Sequence, residues 1–257
     1  MLHAFVTPWL LLSVVWASGC ARTSPEVVPS SPSFLSVLTW NTHGGRGDVK
    51  RLIADLETGV VTGASPRDYV LLLQEFPSRD ERDVASRTRA LTVFASPVRG
   101  ATGNAIVSTI SLEDPRTIDL PRERQPRAAV VATVRVGGQD LFLASTHLEN
   151  RLGWLRGLFG DRARGRQAEA LIEGLPRGHG IVGGDFNTML GPDEPAWRLL
   201  VRRFPDTPDR PQPTFRDRLV LDHLFFDLPD GWSVNRQVIN NQYGSDHHPV
   251  VADIRWP

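Results

Sequence analysis

Polar residues suited to activating water and binding cations stand at or beside the ends of predicted strands. They are Asn41, Glu75, His147, Asp185, Asn187, Asp222, Asp246 and His247. Carboxylates combined with an amide oxygen suit a hard cation such as Mg²⁺. Histidines transfer protons near neutral pH, and a buried aspartate beside a histidine fixes its tautomer. This set of residue types predicts a divalent-cation site with general acid–base groups.

The stretch at residues 181–187, Ile-Val-Gly-Gly-Asp-Phe-Asn, has two interpretations. Its β-branched pair predicts the end of a buried strand, and its glycines allow a sharp turn or a close approach. On a continuing strand Asp185 and Asn187 would share one side, as a site requires. Glycine, aspartate and asparagine are also the commonest turn residues. Taken alone, the stretch fits a site and a turn equally well.

At four other positions the sequence favours either a functional or a structural role. Glu75 follows a continuous apolar run, where glutamate is uncommon, and this favours use in a site. Asp222 interrupts a predicted buried strand, where an unpaired carboxylate would be costly, so it favours a paired role. Asn41 alone fits a turn before a helix, and a lone histidine such as His147 is more often a structural residue.

Apolar periodicity predicts alternating strands and helices that must position these side chains. Asp48 is expected to cap the first helix, and Gly137-Gly138 predicts a hairpin between two strands. Strands are predicted at residues 34–40, 69–73, 91–95, 104–108, 128–136, 141–145, 219–226 and 250–254, and helices at 49–56, 78–90, 166–175 and 195–204. This alternation, with several hairpins, predicts one layered α/β domain with mixed sheets over residues 34–257.

Composition removes several classes of protein. The 29 basic and 29 acidic residues among 257 cancel, so no overall field attracts nucleic acid or anionic lipid. The hydrophobic fraction of 40% is ordinary for a globular protein. The single cysteine, Cys20, excludes an intramolecular disulfide and a thiolate metal cage.

The N-terminal segment predicts export. Residues 1–20 contain an apolar core that fits a signal peptide, and Ala-Ser-Gly before Cys20 resembles the lipobox of bacterial lipoproteins. That resemblance implies lipidation of Cys20 and anchoring to a membrane, in the periplasm or at the cell surface. The alternative is an ordinary cleaved signal and a secreted protein. Residues 21–33, rich in serine and proline, are expected to form a flexible tether.

The ordered motifs together resemble the endonuclease/exonuclease/phosphatase superfamily, which has the DNase I-like fold. The matching stretches are Thr39-Trp40-Asn41, Leu73-Gln74-Glu75, Gly103-Asn104-Ala105-Ile106, Ser145-Thr146-His147-Leu148, Gly184-Asp185-Phe186-Asn187, Leu221-Asp222-His223 and Ser245-Asp246-His247. The resemblance spans residues 34–256, and order and spacing both fit. It implies a four-layer α/β sandwich in which two mixed β-sheets pack face to face and are flanked by helices.

The resemblance also implies roles for individual residues. Asn41 and Glu75 would hold a divalent metal, Mg²⁺ or Mn²⁺, with Asp246 close by. His247 would act as the general base or position the attacking water, and Asp222 would orient it.

The remaining roles that the resemblance implies concern the phosphate. His147 would hydrogen-bond the phosphate or act as an acid, and Asp185 and Asn187 would orient water and bind the phosphate. Asn104 and Arg127 are expected to be further phosphate contacts. The histidines that flank the motifs, His43 and His248, are assigned no role.

The implied activity is metal-assisted attack of water on a phosphodiester or phosphomonoester, by a protein expected to be a monomer. The substrate stays open among nucleic acid, phospholipid and small phosphodiesters. The basic, apolar residues 152–165 suit a lipid headgroup, as in a sphingomyelinase-like enzyme at a membrane, or equally a packed loop. A lipoprotein that kept the fold but lost catalysis is the non-enzymatic alternative.

Overall fold

Two mixed β-sheets carry the residues singled out above. The structure, a computed structural model, describes residues 34–87, 92–95, 102–150, 157–206 and 212–257. In chain order its strands are β1 (Phe34–Asn41), β2 (Asp68–Pro77), β3 (Thr92–Ala95), β4 (Thr102–Ser108), β5 (Glu113–Leu120), β6 (Arg127–Val136), β7 (Gln139–His147), β8 (Gly180–Asp185), β9 (Asp222–Asp227), β10 (Ser233–Val238) and β11 (Val250–Arg255). The helices are α1 (Val49–Glu57), α2 (Glu81–Arg87), α3 (Gly157–Gly174) and α4 (Pro195–Arg203), with short 3₁₀ turns at Ser78–Asp80 and Gly191–Asp193.

The strand order explains why both sheets are mixed. Sheet A has six strands in the order β10-β11-β1-β2-β4-β3, and sheet B has five in the order β5-β6-β7-β8-β9. The pairs β1–β2 and β7–β8 are parallel, while the other pairs are antiparallel. Each parallel pair brings two strand ends to the same edge of its sheet, and α1 and α3 make the two crossovers.

Three apolar layers hold the sheets and helices together. Val37 and Val70 of sheet A pack with Leu143 and Ile181 of sheet B in the central core. A second core joins sheet A to α1 and α2, and a third joins sheet B to α3 and α4. The result is a sandwich of helices, sheet A, sheet B and helices, which confirms the predicted four-layer α/β fold.

The first strand shows how the sequence produces this layering. Leu35 and Val37 face the core between the sheets, whereas Leu38 and Trp40 face the helical side of sheet A. Side chains of a strand alternate between its two faces, and both faces of β1 are covered. A strand buried on both faces often has a continuous apolar run, as β2 does, whereas β1 also buries the polar residues Ser36 and Thr39.

The first helix begins where its sequence predicted. Asp48 is the N-cap, and its Oδ1 accepts a hydrogen bond from the backbone N–H of Arg51 at 3.0 Å. The apolar residues at the spacing of one helical face, Val49, Leu52 and Ile53 among them, are buried against sheet A. The predicted cap and the buried face of α1 are therefore confirmed.

Two strands at sheet edges, β5 and β10, were not predicted from the sequence. In β5 most side chains are exposed, and β10 alternates exposed with half-buried residues. Charged and polar residues at such edges disfavour pairing with other chains. They also remove the apolar pattern from which a strand is predicted. Each of these strands pairs on one side only, with β6 and β11 respectively.

Helix α3 begins at Gly157, earlier than the predicted start at residue 166. Arg164, part of the basic stretch 152–165, is 2% exposed and makes an ion pair with the buried Glu194. At this position the packed alternative holds, because a buried arginine cannot touch a membrane or a substrate. Residues 151–156 lie outside the described part of the chain.

The predicted signal peptide, lipidated cysteine and tether, residues 1–33, also lie outside the described residues. No helix among the residues that the structure describes is long and apolar enough to cross a lipid bilayer.

Candidate active site

The predicted site residues converge at one edge of the two sheets. Asn41 ends β1, His147 ends β7 and Asp185 ends β8, while Asp222 begins the antiparallel β9. The strand register places His147 beside Asp185 and Asp185 beside Asp222. Asp246 and His247 precede β11 in the neighbouring sheet. The parallel pairings thus bring together residues that are far apart in sequence.

Glu75 reaches the site through an irregularity in β2. The pairing of β2 with β4 shifts between Leu73 and Phe76, and Glu75 adopts a left-handed φ of 52°. Its neighbour Gln74 is fully buried, and its Nε2 donates to Ser145 Oγ at 3.1 Å. Such a bulge re-aims a side chain, and here the Glu75 carboxylate lines a cavity while its neighbour faces inward.

His247 and Asp222 form a hydrogen-bonded dyad. The Nδ1–H of His247 donates to Asp222 Oδ2 at 2.8 Å, and both residues are buried. This bond fixes the tautomer, so Nε2 is the nitrogen left for chemistry. Burial alone lowers the pKa of His247, but the Asp222 carboxylate with its hydrogen bond, helped by Asp185 and Asp246, raises that pKa to about 9.

Asp185 is the most enclosed carboxylate of the site. Its Oδ2 accepts from Asn41 Nδ2 at 3.0 Å and lies 3.4 Å from His147 Nε2. Its Oδ1 accepts from the backbone N–H of Asn187 at 3.1 Å. Burial and the neighbouring Asp222 carboxylate raise the pKa of Asp185 to about 7. The site therefore disfavours the charged form of Asp185 relative to that of an exposed aspartate.

Residues 185–187 are a turn and part of the site at once. The strand ends at Asp185, and Asn187 has a left-handed φ of 52°, so the two do not share the side of a continuing strand. Instead the backbone of Asn187 folds back onto the Asp185 carboxylate, and Asn187 Nδ2 donates to Leu148 O at 3.2 Å. The backbone hydrogen bond confirms the turn, and Asp185 and Asn187 both line the candidate cavity, while their role in a site stays a prediction.

The glycines before Asp185 are required by close approach rather than by a ligand. A Cβ on Gly184 would lie 2.1 Å from Thr146 O of the adjacent β7. A Cβ on Gly183 would lie 2.7 Å from Leu72 Cδ1 of the opposite sheet. Side chains at these positions would push β8 away from its neighbours, so the glycines set the position of Asp185.

His147 lies between two carboxylates and is neutral. Its Nε2 faces Asp185, and its Nδ1 lies 4.0 Å from Glu75 Oε1. Burial, followed by the positive charges of Arg127 and His247, lowers the pKa of His147 well below its usual value. A neutral imidazole can either donate or accept a hydrogen bond at a bound phosphate.

Asp246 connects the site to two basic side chains. Its Oδ1 lies 3.3 Å from His43 Nδ1 and 3.9 Å from His247 Nε2. Its Oδ2 accepts from the guanidinium of Arg216 at 3.3 Å. His43, which sequence left without a role, thus lines the site, because His43 follows Asn41 at the same strand end.

These groups surround a cavity of about 280 Å³. Its lining comprises Asn41, His43, Glu75, His147, Asn150, Asp185, Asn187, Met189, Phe215, Leu221, Asp246 and His247. Among the described residues that line it, none is a lysine or an arginine, although three are acids. The described lining is therefore rich in oxygen ligands and poor in fixed positive charge, and Met189, Phe215 and Leu221 add apolar surface to it.

The donor set fits a divalent cation. Glu75 and Asp246 present partly exposed carboxylates to the cavity, and Glu75 Oε1 receives only a long hydrogen bond of 3.4 Å from Asn41 Nδ2. Asn41 Oδ1 accepts from the backbone N–H of His43 at 2.9 Å, so the amide nitrogen of Asn41 faces the carboxylates. Asn41 would need to rotate its amide to serve as a ligand, whereas the Glu75 and Asp246 side chains already line the cavity.

A second group of possible ligand atoms has a different explanation. Atoms of Asp185, Asp222 and His247 lie within 4.8 Å of one another. The His247 Nδ1–H, however, is already hydrogen-bonded to Asp222. The group is therefore the His247–Asp222 dyad with the buried Asp185 beside it. Among the described residues Asp222 Oδ1 is buried and has no hydrogen-bond partner, so part of this carboxylate is left without a compensating donor.

Asn104 and Arg127 line an adjoining cavity of about 270 Å³ that also contacts Glu75 and His147. Asn104 Nδ2 donates to Ala128 O at 2.7 Å, which ties β4 to β6. The Nε of Arg127 is buried and has no hydrogen-bond partner in the described part of the chain, and burial lowers the pKa of Arg127. These two predicted phosphate contacts lie beside the first cavity rather than inside it.

The sequence did not point to several residues that contact the site. Thr214, Phe215 and Arg216 follow a proline-rich loop, where threonine and arginine carry no recognisable signal. Glu149 is fully buried, and its carboxylate accepts from the backbone of Arg124 and Gln125, next to Arg127. Only their contacts reveal these residues, because no periodicity distinguishes a buried loop residue from an exposed one.

Comparison with known proteins agrees with this architecture. A functionally unknown conserved protein from Enterococcus faecalis V583 matches with a TM-score of 0.67 at 17% identity, covering 86% of this chain and 100% of that one. The human Nocturnin catalytic domain with bound sulfate matches with a TM-score of 0.64 at 21% identity, covering 87% and 95%. The Bacteroides thetaiotaomicron mannosyl-6-phosphatase Bt3783 matches with a TM-score of 0.59 at 15% identity, covering 86% and 100%.

These identities are low, so the structural similarity shows the shared fold alone. No curated protein matches the chain significantly. The model of the endonuclease/exonuclease/phosphatase family matches residues 38–247, which include every strand end that contributes to the site. The chain belongs to the endonuclease/exonuclease/phosphatase family.

Proposed function

We propose that the protein is a divalent-metal-dependent phosphoric ester hydrolase, a phosphodiesterase or phosphatase. The observation that carries this proposal is the His247–Asp222 dyad, whose Nε2 faces a cavity lined by Glu75, Asp185 and Asp246. A histidine of fixed tautomer beside carboxylates suits general-base activation of water. Membership of the family supports phosphoester chemistry, and the sulfate in the Nocturnin structure supports an anion site in this fold.

In the proposed mechanism the neutral form of His247 accepts a proton from the attacking water at Nε2. Because the surrounding carboxylates raise the pKa of His247 to about 9, this base is fully available only at alkaline pH or when a bound cation lowers that pKa. Asp222 orients the ring and stabilises the imidazolium that forms. Asp185 and Asn187 orient the water and the phosphate, and neutral His147 donates to a phosphoryl oxygen. Arg127 and Asn104 would contact the phosphate from the adjoining cavity. No covalent intermediate on the protein is needed.

Glu75 and Asp246, with Asn41 after rotation of its amide, would hold Mg²⁺ or Mn²⁺. When bound, such a cation neutralises charge on the phosphoryl group and stabilises the leaving oxygen. The lining of the cavity supports this assignment, because its described residues include three acids and neither lysine nor arginine, and Arg216, which contacts Asp246, lies outside the lining. Carboxylate and amide oxygens are the ligands that these hard cations prefer.

Hydrolysis of bis-p-nitrophenyl phosphate by the protein from residue 21 onward tests the proposal. We expect activity that requires Mg²⁺ or Mn²⁺, disappears with EDTA and is lost in Glu75→Ala and His247→Ala. Glu113→Ala, at an exposed position of the edge strand β5, is the matched control and should stay active. Failure of every metal to support hydrolysis or shift thermal stability would favour the non-catalytic alternative instead.

The same proposal includes export and a lipid anchor at Cys20, supported by the signal-like residues 1–20 and the small residues before the cysteine. Mass spectrometry of the mature N-terminus tests this: a diacylglycerol-modified Cys20 supports the anchor, and an unmodified downstream N-terminus supports secretion.

Comparing cleavage of duplex DNA, phospholipid vesicles and small phosphodiesters distinguishes the possible substrate classes. The apolar surface of the cavity accommodates an uncharged part of any of them.

A further inference from the structure

A short hairpin outside the predicted site contacts both chain segments that carry the dyad. Phe215 and Leu219 exchange backbone hydrogen bonds at 2.9 and 3.1 Å, so that residues 214–219 form a tight hairpin. At its tip Arg216 and Asp217 adopt left-handed φ values of 47° and 55°. Non-glycine residues rarely adopt this conformation without surrounding contacts that hold it. Contacts with the surrounding chain therefore hold the tip of the 214–219 hairpin in this conformation.

Strand pairing cannot fix the separation of His247 from Asp222. Asp222 begins β9 at the edge of sheet B, whereas His247 precedes β11 in sheet A. No ladder of backbone hydrogen bonds joins β9 to β11, because the two strands belong to different sheets. The 2.8 Å bond between the two side chains therefore depends on packing of the two sheets and on contacts between the loops at their junction.

Thr214 connects the two segments directly. It is 1% exposed, and its Oγ1 accepts from the backbone N–H groups of Leu221 and Asp222, each at 3.0 Å. Its own carbonyl oxygen accepts from the backbone N–H of His248 at 2.7 Å. One buried residue thus fixes the backbone at Asp222 and the backbone next to His247.

The next three residues of the hairpin follow the segment 246–248. The Phe215 ring lies 4.7 Å from the His247 ring, centroid to centroid. The Arg216 backbone N–H donates to Asp246 O at 3.2 Å. Asp217 Oδ1 lies 2.8 Å from Nε2 of His248. Consecutive residues of the hairpin therefore contact consecutive residues around the dyad.

We propose that Thr214 is a positioning residue that holds Asp222 and His247 at hydrogen-bonding distance across the junction of the two sheets. The proposal rests on the proposed function, because the dyad is the group that Thr214 serves. Thr214 itself lies outside the lining of the catalytic cavity and acts through the dyad. Small displacements of a catalytic group reduce turnover steeply, so its effect should appear in kcat.

The test compares Thr214→Val with Thr214→Ser. Valine keeps the shape of threonine and removes Oγ1, leaving the Leu221 and Asp222 N–H groups without their acceptor, whereas serine keeps the oxygen. For metal-dependent hydrolysis of bis-p-nitrophenyl phosphate by folded protein, we expect Thr214→Val to lower kcat about tenfold or more with little change in KM. Thr214→Ser should restore kcat to near the wild-type value. Thr214→Ala serves as a second variant if valine prevents folding.

Two further measurements separate positioning from a general loss of structure. In a His247→Ala background, Thr214→Val should cause no further loss of the residual rate, because the group it serves is gone. In the NMR spectrum, the downfield Nδ1–H resonance of His247 should weaken in Thr214→Val and persist in Thr214→Ser. A folded Thr214→Val protein with wild-type kcat, or an equal loss in both backgrounds, would overturn the proposal.

The NMR comparison also distinguishes this proposal from the proposed function. If the wild-type protein hydrolyses no phosphoester, the proposed function fails, but the Nδ1–H resonance still reports whether Thr214 holds the dyad. If the wild-type protein is active and the resonance is unchanged in Thr214→Val, only the positioning role fails.

Discussion

The Nδ1–H of His247 donates to Asp222 Oδ2 at 2.8 Å although the two residues belong to different sheets of the sandwich. The bond therefore exists only when the two sheets have packed and the loops at their junction have closed. It leaves His247 Nε2 facing a cavity whose other polar groups come from β1, β2, β7 and β8 and from the loops beside them. Loss of the bond should consequently affect chemistry more than it affects folding.

Replacing Asp222 by asparagine should lower kcat by about two to four orders of magnitude. The amide cannot hold the imidazolium, and it can stabilise the wrong tautomer of His247. Steady-state hydrolysis of bis-p-nitrophenyl phosphate measures the effect, with circular dichroism to show that the variant is folded. Asp230→Asn, at an exposed position after the same strand, should behave as wild type. Wild-type turnover by Asp222→Asn would contradict the assignment of the dyad.

Adding Mg²⁺ should lower the pKa of His247. In the protein without a cation, the carboxylates around His247 outweigh its burial and raise that pKa to about 9. A cation held by Glu75 and Asp246 would disfavour the protonated ring, and we expect a fall of about one unit or more. NMR titration of the imidazole nitrogens with and without Mg²⁺ measures it. The shift should vanish in Asp246→Asn. If Mg²⁺ does not change the pKa of His247 in the wild-type protein, the cation binds elsewhere.

Acid should destabilise the protein through His223. Burial, against rings that include Trp197 at 4.7 Å, lowers the pKa of His223 from 6.5 to about 4. The unfolded chain then binds a proton that the folded protein does not, so stability is present above pH 6.5 and is lost as the pH falls towards 4. The expected loss in the free energy of unfolding is roughly 3 kcal/mol.

Urea unfolding at pH 7.5 and pH 4.5 checks this expectation. His223→Gln removes the titrating group and should show a weaker dependence on pH, although it is less stable overall. His179→Gln, at a position with an exposed side chain, is the matched control and should keep the wild-type dependence. If the free energy of unfolding changes equally with pH in the wild-type protein and in His223→Gln, other groups control acid unfolding.

Breaking the buried ion pair of Arg164 with Glu194 should be strongly destabilising. Arg164 Nε and Nη2 donate to the two carboxylate oxygens at 2.7 and 2.9 Å, and both residues are buried. Glu194→Gln leaves a buried guanidinium without its counter-charge, which costs about 3–5 kcal/mol. Thermal and urea unfolding measure the loss.

The exposed pair of Arg166 with Glu123 provides the comparison. Arg166→Gln should cost less than about 1 kcal/mol, because solvent screens an exposed pair. The double substitution Arg164→Met with Glu194→Leu should recover part of the stability that Glu194→Gln loses. A loss for Glu194→Gln no larger than that for Arg166→Gln would show that the buried pair is not held as described.

Much of the fold and of the candidate site could be predicted from local sequence. An alternating, β-rich pattern marked β1, a continuous apolar run marked β2, and Asp48 marked the start of α1, because these signals lie between residues close in sequence. The edge strands β5 and β10 could not be predicted, since their solvent-facing residues resemble loop residues. The stretch 185–187 could be assigned to a site, but its turn and backbone hydrogen bond required the structure.

The sequence by itself determined which chemical groups are available and that they follow strand ends in a fixed order. Tertiary structure alone decided which of them meet. It paired His247 with Asp222 across two sheets, tilted Glu75 into the cavity at a bulge and buried Arg164 against Glu194. It also introduced Thr214, which no local pattern distinguishes. The physical reason is that periodicity and capping act between residues close in sequence, whereas separations between sheets depend on packing of the whole domain.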